Sequence, residues 1–407
     1  MKAAQTDKPS STARRVLLGL SLGCLLLILT DQVVLYTVLA DDVCLSRPVA
    51  PFDPPLFTNT QRAALNDVQK SLEAGTSPQQ ARRFDPELGW CNPRDGGFGE
   101  FVYDWAGCRK AAEPLPRTKA VGIRRVVTLG CSMTHGEEVG ALETWPAQLD
   151  ASRADIEVAN LGVAAYGIDQ AFLRYRRDGV VLEPDEAWLC LLPLSALRTT
   201  TMFRPLALHW ATATFFKPRF VIAEDQVPTL LESPAQSFED VARLLTSQTE
   251  FLDAMQRHDW WVKRAPIAYS PRGSHWSHFS GLGRLVLSFD EAQGRELARH
   301  YQQSSETYGV LRGIVRTARE EIEAQGVRFR LLILPGPDDL DAELVAGRRY
   351  WQALVDDLRE QGVEVFDLSE TLMSSALTRA AMFAPHGHYS SATNGLIAET
   401  LSALLGQ

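Results

Sequence analysis

Apolar and polar positions follow two patterns along most of this chain, and each pattern predicts a different kind of element. Short apolar runs are typical of buried strands, and they occur at 125–129, 156–160, 187–192, 328–334 and 364–367. Longer amphipathic stretches predict helices near residue 147 and over 169–177, 293–325, 343–361 and 392–405. Because the strands alternate with helices, we predict a three-layer α/β/α fold with a central parallel sheet.

A long insertion interrupts this alternation between the third and fourth strands, at about 196–290. Insertions of this size often form lids or binding loops. This one contains several aromatic and histidine side chains: Trp210, Trp260, Trp261, Trp276, His275 and His278. We expect these side chains to form the insertion's own core. Some of them would also line a cleft at the carboxyl ends of the strands, where ligands bind in sheets of this type.

The N-terminus has a different character, since basic residues precede an uncharged run at 16–29 and apolar character resumes at 33–39. A helix over 16–39 would rise about 36 Å, which is enough to cross a bilayer core of about 30 Å. We therefore predict a cytoplasmic N-terminus at 1–15 and a transmembrane signal anchor at 16–39. A cleaved signal peptide is the alternative, because Asp31 is costly inside a membrane unless it is paired or close to the interface.

Both alternatives place the rest of the chain outside the cytoplasm, because the basic residues stay inside. We expect a single-pass protein of the inner membrane with its main domain on the periplasmic or extracellular side. A stalk and loop-rich extension at 40–120 would lead into a domain at 121–407. In an oxidising compartment Cys91 and Cys108 could form a disulfide, and Asp31 could contact a membrane partner.

Composition excludes some classes of function. The 407 residues carry a net charge of -9, and the pI is near 5.5. A nucleic-acid-binding protein would normally be basic, so we predict no nucleic-acid partner. No CxxC motif or His/Cys cluster suggests a metal site, and we predict no cofactor.

Candidate chemistry follows the first two strands and precedes the last helix. Ser132 follows the first strand, two residues after Gly130, where backbone N–H groups at a helix start can stabilise negative charge. A simple helix cap is the alternative role for this serine. Gly162 follows the second strand, where it would let a backbone N–H approach a ligand. His388 lies in a loop near the C-terminus, within reach of the first strand's loop in such a sheet.

Three motifs carry a family resemblance. The sequence Gly130-Cys-Ser132-Met-Thr134-His-Gly136 resembles the first block of the SGNH (GDSL-type) hydrolases, which is normally Gly-Asp-Ser-x-Thr-x-Gly. Asn160-Leu-Gly162 resembles their second block, and His388 with the residues after it resembles their last. The resemblance runs from about residue 125 to the C-terminus and implies the flavodoxin-like SGNH fold. It also implies a serine ester hydrolase or an acyl (acetyl) transferase.

The resemblance assigns roles to individual residues. Ser132 would be the nucleophile and His388 the general base. The backbone N–H groups of Ser132 and Gly162 would bind the oxyanion. The substrate would be an acylated glycan of the envelope or a similar small ester. The family's oxyanion asparagine is missing, because Leu194 or Ser195 stands at that position, and of the two only the Ser195 side chain could serve as a weak donor.

The family's acidic residue is missing as well, since His386 and Pro385 stand two and three residues before the histidine. A Ser-His dyad, or a carboxylate from elsewhere, would have to serve instead. The candidate carboxylates follow two of the strands: Glu137, Glu138, Asp338 and Asp339. Thr134, His135 and His386 are further candidates for binding or orienting the substrate. These departures also allow a different function, a degenerate SGNH domain that binds a glycan or an envelope partner without catalysis.

Overall fold

The computed structural model describes residues 11–38, 83–208, 215–222, 227–270, 273–294 and 296–405, together with residue 211 and short pieces between 43 and 74. Its first element is the helix α1 (Ser11–Val33), which a π-helical turn, Val34–Val38, extends. The 24 residues of Arg14–Thr37 form a helix that is long and apolar enough to cross a membrane. A membrane anchor and a signal sequence both have this form.

A five-stranded parallel sheet forms the centre of the main domain. Its strands are β1 (Arg124–Leu129), β2 (Ile156–Asn160), β3 (Glu186–Leu191), β4 (Arg328–Ile333) and β5 (Val365–Asp367). Their order is β5-β4-β3-β1-β2, and every neighbouring pair is parallel. This is the doubly wound, flavodoxin-like order. The five predicted strands are confirmed to within one residue at each end, because their apolar runs are buried.

Helices cover both faces of this sheet. The helices after α1 are, in chain order, α2 (Ser132–His135), α3 (Trp145–Ser152), α4 (Ile168–Arg174), α5 (Gly281–Gly294), α6 (Glu306–Glu323), α7 (Pro337–Ala346), α8 (Gln352–Glu360) and α9 (Ser391–Leu405). Of these, α5 belongs to the insertion and packs against α1. Helix α3 packs against α9, whereas α6 packs against α4 and α8. The predicted three-layer α/β/α fold is thus confirmed.

Two predicted helices are wrong as single elements. The predicted helix 293–325 is interrupted, because the Ser305 hydroxyl accepts the Tyr308 N–H and begins α6 as a new helix. The predicted helix 343–361 is also two helices. Gly347 adopts a φ of +65°, which ends α7, and α8 begins five residues later.

The insertion between β3 and α6 is built from short elements: Ala196–Thr199, Arg204–Ala207, Arg219–Ile222, Pro228–Leu231, Phe238–Thr246, Gln248–Met255, Trp260–Arg264, Trp276–Phe279, α5 and Leu297–His300. Phe203, Phe216 and Phe251 pack together inside it, and Trp261 is buried. The insertion therefore contributes aromatic side chains to the hydrophobic core, and Trp261 is one of those that the sequence predicted there. Trp276 does not join this core, because it is 71% exposed. Trp210 lies outside the described residues.

The segment before β1 belongs to the same core, so the predicted domain start at residue 121 is wrong. Two hairpins form within it: Arg83–Asp85 with Gly89–Cys91, and Gly96–Phe98 with Phe101–Tyr103. Leu88, Trp90 and Cys108 are buried in the hydrophobic core of the α/β domain. The disulfide that the sequence left possible is not formed, because Cys91 and Cys108 are both free thiols.

Candidate active site

A cavity of about 310 Å³ opens at the carboxyl edge of the sheet. Loops that follow four of the strands and the loop that precedes α9 contribute its walls. The residues that line it are Ser132, Met133, Glu137, Ala164, Ala165, Leu192, Leu194, Arg198, Arg204, Ala211, Gly336, Pro337, Asp338, Asp339, His386, Gly387 and His388. The cavity thus brings Ser132 and His388 to one site, although 256 positions separate them in the chain.

Ser132 is placed by a tight turn between β1 and α2. A Cβ atom at Gly130 would collide with the Thr134 hydroxyl and would lie 2.8 Å from the Cys190 Cβ atom, so only glycine fits there. The turn makes Ser132 the first residue of α2, with 9% of its surface exposed. Its hydroxyl donates to none of the described residues, and its N–H has no acceptor among them. Both groups are therefore available to a ligand in the cavity.

His388, which lines the cavity, is paired with the carboxylate of Glu138. The distance from His388 Nδ1 to Glu138 Oε2 is 2.7 Å. The same carboxylate accepts the backbone N–H groups of His386, at 2.9 Å, and of His388, at 3.2 Å. Of the four carboxylates that the sequence left open, Glu138 is therefore the one that orients the imidazole. Its contact with Nδ1 leaves Nε2 as the ring nitrogen that can exchange a proton with a substrate or nucleophile.

The ionisation and conformation of Glu138 both suit this pairing. Partial burial opposes the charge of Glu138, but its hydrogen bonds with His386 and His388 outweigh burial and lower the pKa of the carboxyl. Glu138 is therefore an anion at neutral pH. Its backbone φ is +67°, a left-handed conformation that non-glycine residues rarely adopt. Such strain is common at functional sites, where surrounding contacts hold it in place.

Buried polar contacts join the loops that carry Ser132 and His388. The Trp145 indole N–H donates to the Met133 carbonyl at 3.1 Å. The Trp145 backbone N–H donates to Asn394 Oδ1 at 2.9 Å, and the Asn394 amide donates to the Tyr389 carbonyl at 3.1 Å. The Tyr389 hydroxyl in turn donates to the carbonyl of Pro335, after β4. This chain of hydrogen bonds fixes the two loops relative to each other.

The structure contradicts the prediction that Gly162 is an oxyanion donor. Its N–H donates to Asn160 Oδ1 at 3.0 Å, and it does not line the cavity. Gly162 is required for packing instead, because a Cβ atom there would lie 2.8 Å from the Cα atom of His135. Ala165 takes its place at the cavity wall, with a φ of +73° and an N–H that has no acceptor among the described residues.

Ser195 is also not where the sequence predicted it. The residue is 2% exposed and does not line the cavity, whereas Leu194 does. The Ser195 backbone N–H donates to the Leu192 carbonyl, which tightens the turn and directs the side chain inward. Because leucine has no donor, the side chain at this wall contributes no hydrogen bond to an oxyanion.

Of the three further candidates, only His386 lines the cavity. Thr134 is fully buried and packs under Gly130. His135 is 1% exposed, and its Nε2 lies 3.0 Å from the Tyr103 hydroxyl. The predictions for Thr134 and His135 are therefore wrong, because α2 directs both side chains into the protein. Arg109 holds the end of α2 and the residues after it, because its guanidinium donates hydrogen bonds to the backbone carbonyls of His135 and Val139.

Charged groups form part of the cavity wall, beside apolar side chains that include Met133, Leu192 and Leu194. Arg198 and Arg204 are 3% and 7% exposed and line it from the insertion. Glu137 and Asp338 also line the cavity. Burial raises the pKa of Asp339 to about 7, although the carboxylate accepts the Tyr350 hydroxyl and the Gly336 N–H. These charged groups would favour a ligand that carries polar groups of its own.

No family model and no curated protein matches the chain. Among solved structures, a G-D-S-L family protein from Desulfitobacterium hafniense DCB-2 is similar at 14% identity and a TM-score of 0.35, over 69% of this chain and 98% of that one. A member of the lipolytic protein G-D-S-L family from Veillonella parvula DSM 2008 is similar at 14% identity and a TM-score of 0.33, over 69% and 97%.

The strand order, with the serine and histidine loops at the carboxyl edge of the sheet, gives this chain a doubly wound, flavodoxin-like α/β/α fold. Two residues of its site have no clear signal in the sequence. Glu138 is one of several carboxylates near strand ends, and Ala165 is an alanine where a glycine would be expected to adopt a positive φ.

Proposed function

We propose that this protein is a serine ester hydrolase or acyltransferase that acts on a polar ester, such as an acylated glycan, through an acyl-serine intermediate. The observation that carries the proposal is the His388–Glu138 pair at 2.7 Å, in the same cavity as an unbonded serine hydroxyl at a helix start. The charged side chains in the cavity wall support a substrate with polar groups. An acyltransferase and a hydrolase would use the same residues and differ in the acceptor.

The proposed reaction begins when Ser132 Oγ attacks the ester carbonyl and His388 Nε2 takes the hydroxyl proton. Glu138 holds the imidazole through Nδ1 and stabilises the imidazolium. The oxyanion accepts hydrogen bonds from the N–H groups of Ser132 and Ala165. The C–O bond to the leaving alcohol then breaks, and His388 gives the proton to that alcohol. Water or a sugar hydroxyl next attacks the acyl group, and His388 takes its proton. The bond between the acyl carbon and Ser132 Oγ then breaks, and His388 returns the proton to Oγ.

The test uses the purified full-length chain in detergent, with a fluorophosphonate probe and 4-nitrophenyl acetate. We expect the probe to label Ser132, with the adduct located by peptide mass spectrometry. Labelling and hydrolysis should be lost in Ser132→Ala and should fall at least tenfold in His388→Ala. Ser374→Ala is the matched control, because Ser374 is an exposed serine on another helix. Equal labelling of the parent and Ser132→Ala would remove Ser132 from the mechanism.

Leu194 favours a second candidate, a domain that binds a glycan without catalysis. Loss of one oxyanion donor slows acyl transfer by about 10² to 10³-fold in other enzymes. If the domain is an enzyme that lacks this donor, Leu194→Asn should raise kcat by at least about tenfold. A protein that binds an acylated glycan, but whose parent and Leu194→Asn forms both fail to react with the probe, would support the binding domain instead.

We also propose that the chain is a single-pass inner-membrane protein with this domain outside the cytoplasm. The apolar helix α1 and the basic residues before the apolar run support this orientation. The test is protease protection in spheroplasts, where added protease should degrade the domain without lysis. Degradation only after lysis would reverse the orientation.

A further inference from the structure

Large apolar side chains are exposed along one side of α5 and in the turn before it. Leu282, Val286 and Phe289 lie at positions i, i+4 and i+7 and are 44%, 66% and 68% exposed. Before them, Trp276 is 71% and Phe279 is 64% exposed. Residues at this spacing share one face of a helix. We refer to these five side chains as the apolar face of α5.

The opposite side of α5 already packs against the protein. Arg284 is 5% exposed, and Leu287 packs against the hydrophobic core. A helix on the surface of a soluble protein normally presents polar side chains outward. Here the outward side is apolar, which marks a surface that contacts another apolar phase or molecule.

The end of α1 lies directly against the beginning of α5. Asp31 Oδ1 accepts the Ser280 hydroxyl and the Leu282 N–H, each at 2.8 Å, so Asp31 caps α5. Gln32 Nε2 donates to the Phe279 carbonyl at 3.2 Å. These contacts give the polar pair at the end of α1 partners within the chain. Asp31 therefore needs no contact with another membrane protein to be satisfied.

The contact between the two helices depends on a small residue. A Cβ atom at Gly281 would lie 2.6 Å from the Asp31 carbonyl oxygen and 2.6 Å from the Leu35 nitrogen. Any side chain at this position would therefore push α5 away from α1. Asp31 thus caps α5, and Gly281 lets α5 lie close against α1, at the point where α1 meets the domain.

We infer that α1 stays in the mature protein and that the apolar face of α5 lies in the surface of the bilayer that α1 crosses. The last turn of α1 contacts the first turn of α5, so this face lies where the anchor leaves the lipid. Tryptophan and phenylalanine side chains are typical of helices that lie at this interface. The chain therefore contacts the membrane through two helices: α1 crosses the bilayer, and α5 lies along its surface.

The test uses the full-length chain in proteoliposomes of phosphatidylethanolamine and phosphatidylglycerol, with a lipid that carries a photoactivatable diazirine. We expect lipid adducts on α1 and also on the segment 276–289, located by mass spectrometry. Val121 and Val181 are exposed valines before β1 and β3, and they should carry none. In the variant Leu282→Ser/Val286→Ser/Phe289→Ser, adducts on 276–289 should fall at least tenfold, while those on α1 persist.

Gly281→Val provides an independent test of the contact between α1 and α5, with Val181→Ser as the control substitution at an exposed valine. We expect fewer lipid adducts on 276–289 in Gly281→Val and no change in the control. Three results would overturn the inference: adducts confined to α1, cross-links that join two chains through the apolar face of α5, or a mature chain whose intact mass lacks α1. None of these readouts depends on esterase activity.

Discussion

Replacing Glu138 by glutamine removes the charge beside His388 and nearly preserves the shape of the side chain. The carboxylate accepts three N–H groups, with His388 Nδ1 at 2.7 Å. Glutamine has one oxygen and one NH₂ group, so at least one of these three donors must face another donor. If the NH₂ group faces the ring, it favours the tautomer that carries its proton on Nε2, which cannot act as a base.

The magnitude follows from the distance and the exposure of the pair. Unit charges about 3 Å apart interact by about 5 to 6 kcal/mol at an effective dielectric constant of about 20. The His388 and Glu138 side chains are 22% and 16% exposed, so we discount this figure to about 3 kcal/mol for solvent screening. A change of about 1.4 kcal/mol is tenfold in rate, which gives a fall in kcat of about 10²-fold. The wrong tautomer would extend this to about 10⁴-fold.

The assay is the initial rate of 4-nitrophenyl acetate hydrolysis, analysed for kcat and KM, with the rate of fluorophosphonate labelling as a second readout. We expect kcat to fall by 10² to 10⁴-fold, as estimated above, with little change in KM, because Glu138 acts through the imidazole. Glu399→Gln is the matched control, since Glu399 is an exposed carboxylate on α9. A Glu138→Gln protein whose kcat stays within threefold of the parent would refute the role assigned to Glu138.

Three further predictions concern stability. Ala165→Gly should raise the free energy of unfolding by about 0.5 to 1 kcal/mol in urea denaturation, because glycine relieves the positive φ of +73°; a loss of stability would contradict this. Lys217→Met should cost about 3 to 5 kcal/mol, because it strands the buried carboxylate of Asp169. Adding Asp169→Leu should recover most of that loss. A Lys217→Met protein as stable as the parent would show that the buried carboxylate of Asp169 does not depend on Lys217. Folding raises the pKa of Asp339 from 3.8 to about 7, so the folded state binds this proton more tightly. Stability should therefore fall by about 2 to 3 kcal/mol between pH 5 and pH 8. Thermal unfolding of Asp339→Asn should lack this loss, and an identical pH dependence in both proteins would exclude Asp339 as its source.

The strands could be predicted closely because their signal is local. β3 is buried throughout, and β1 and β4 are buried at every position after the first, so burial follows these apolar runs closely. The helices were less predictable, since a polar pattern that continues through a break does not reveal where one helix ends. The two breaks are visible only in the structure. Ser305 begins a new helix through its capping hydrogen bond, and Gly347 ends one through its positive φ.

The candidate site was predictable only where a motif fixes both residue and position. Ser132 and His388 belong to such motifs, and the structure places them in one cavity. Glu138 could not be chosen because its role depends on a left-handed backbone conformation that its sequence does not signal. Gly162 was misassigned because a glycine beside a strand can serve close packing as well as ligand binding, and sequence does not distinguish the two.

The position of Glu138 has a consequence for how the site would respond to motion. In the SGNH hydrolases that the sequence motifs resemble, the acid and the base lie on one loop and would move together. Here the acid follows the serine on the opposite loop and holds the histidine loop by its main chain as well as by its ring. A displacement of the 384–390 segment would separate the histidine from its acid and from the serine in one event. The site would then be either fully assembled or inactive, because no displacement of this segment would leave His388 with Ser132 but without Glu138.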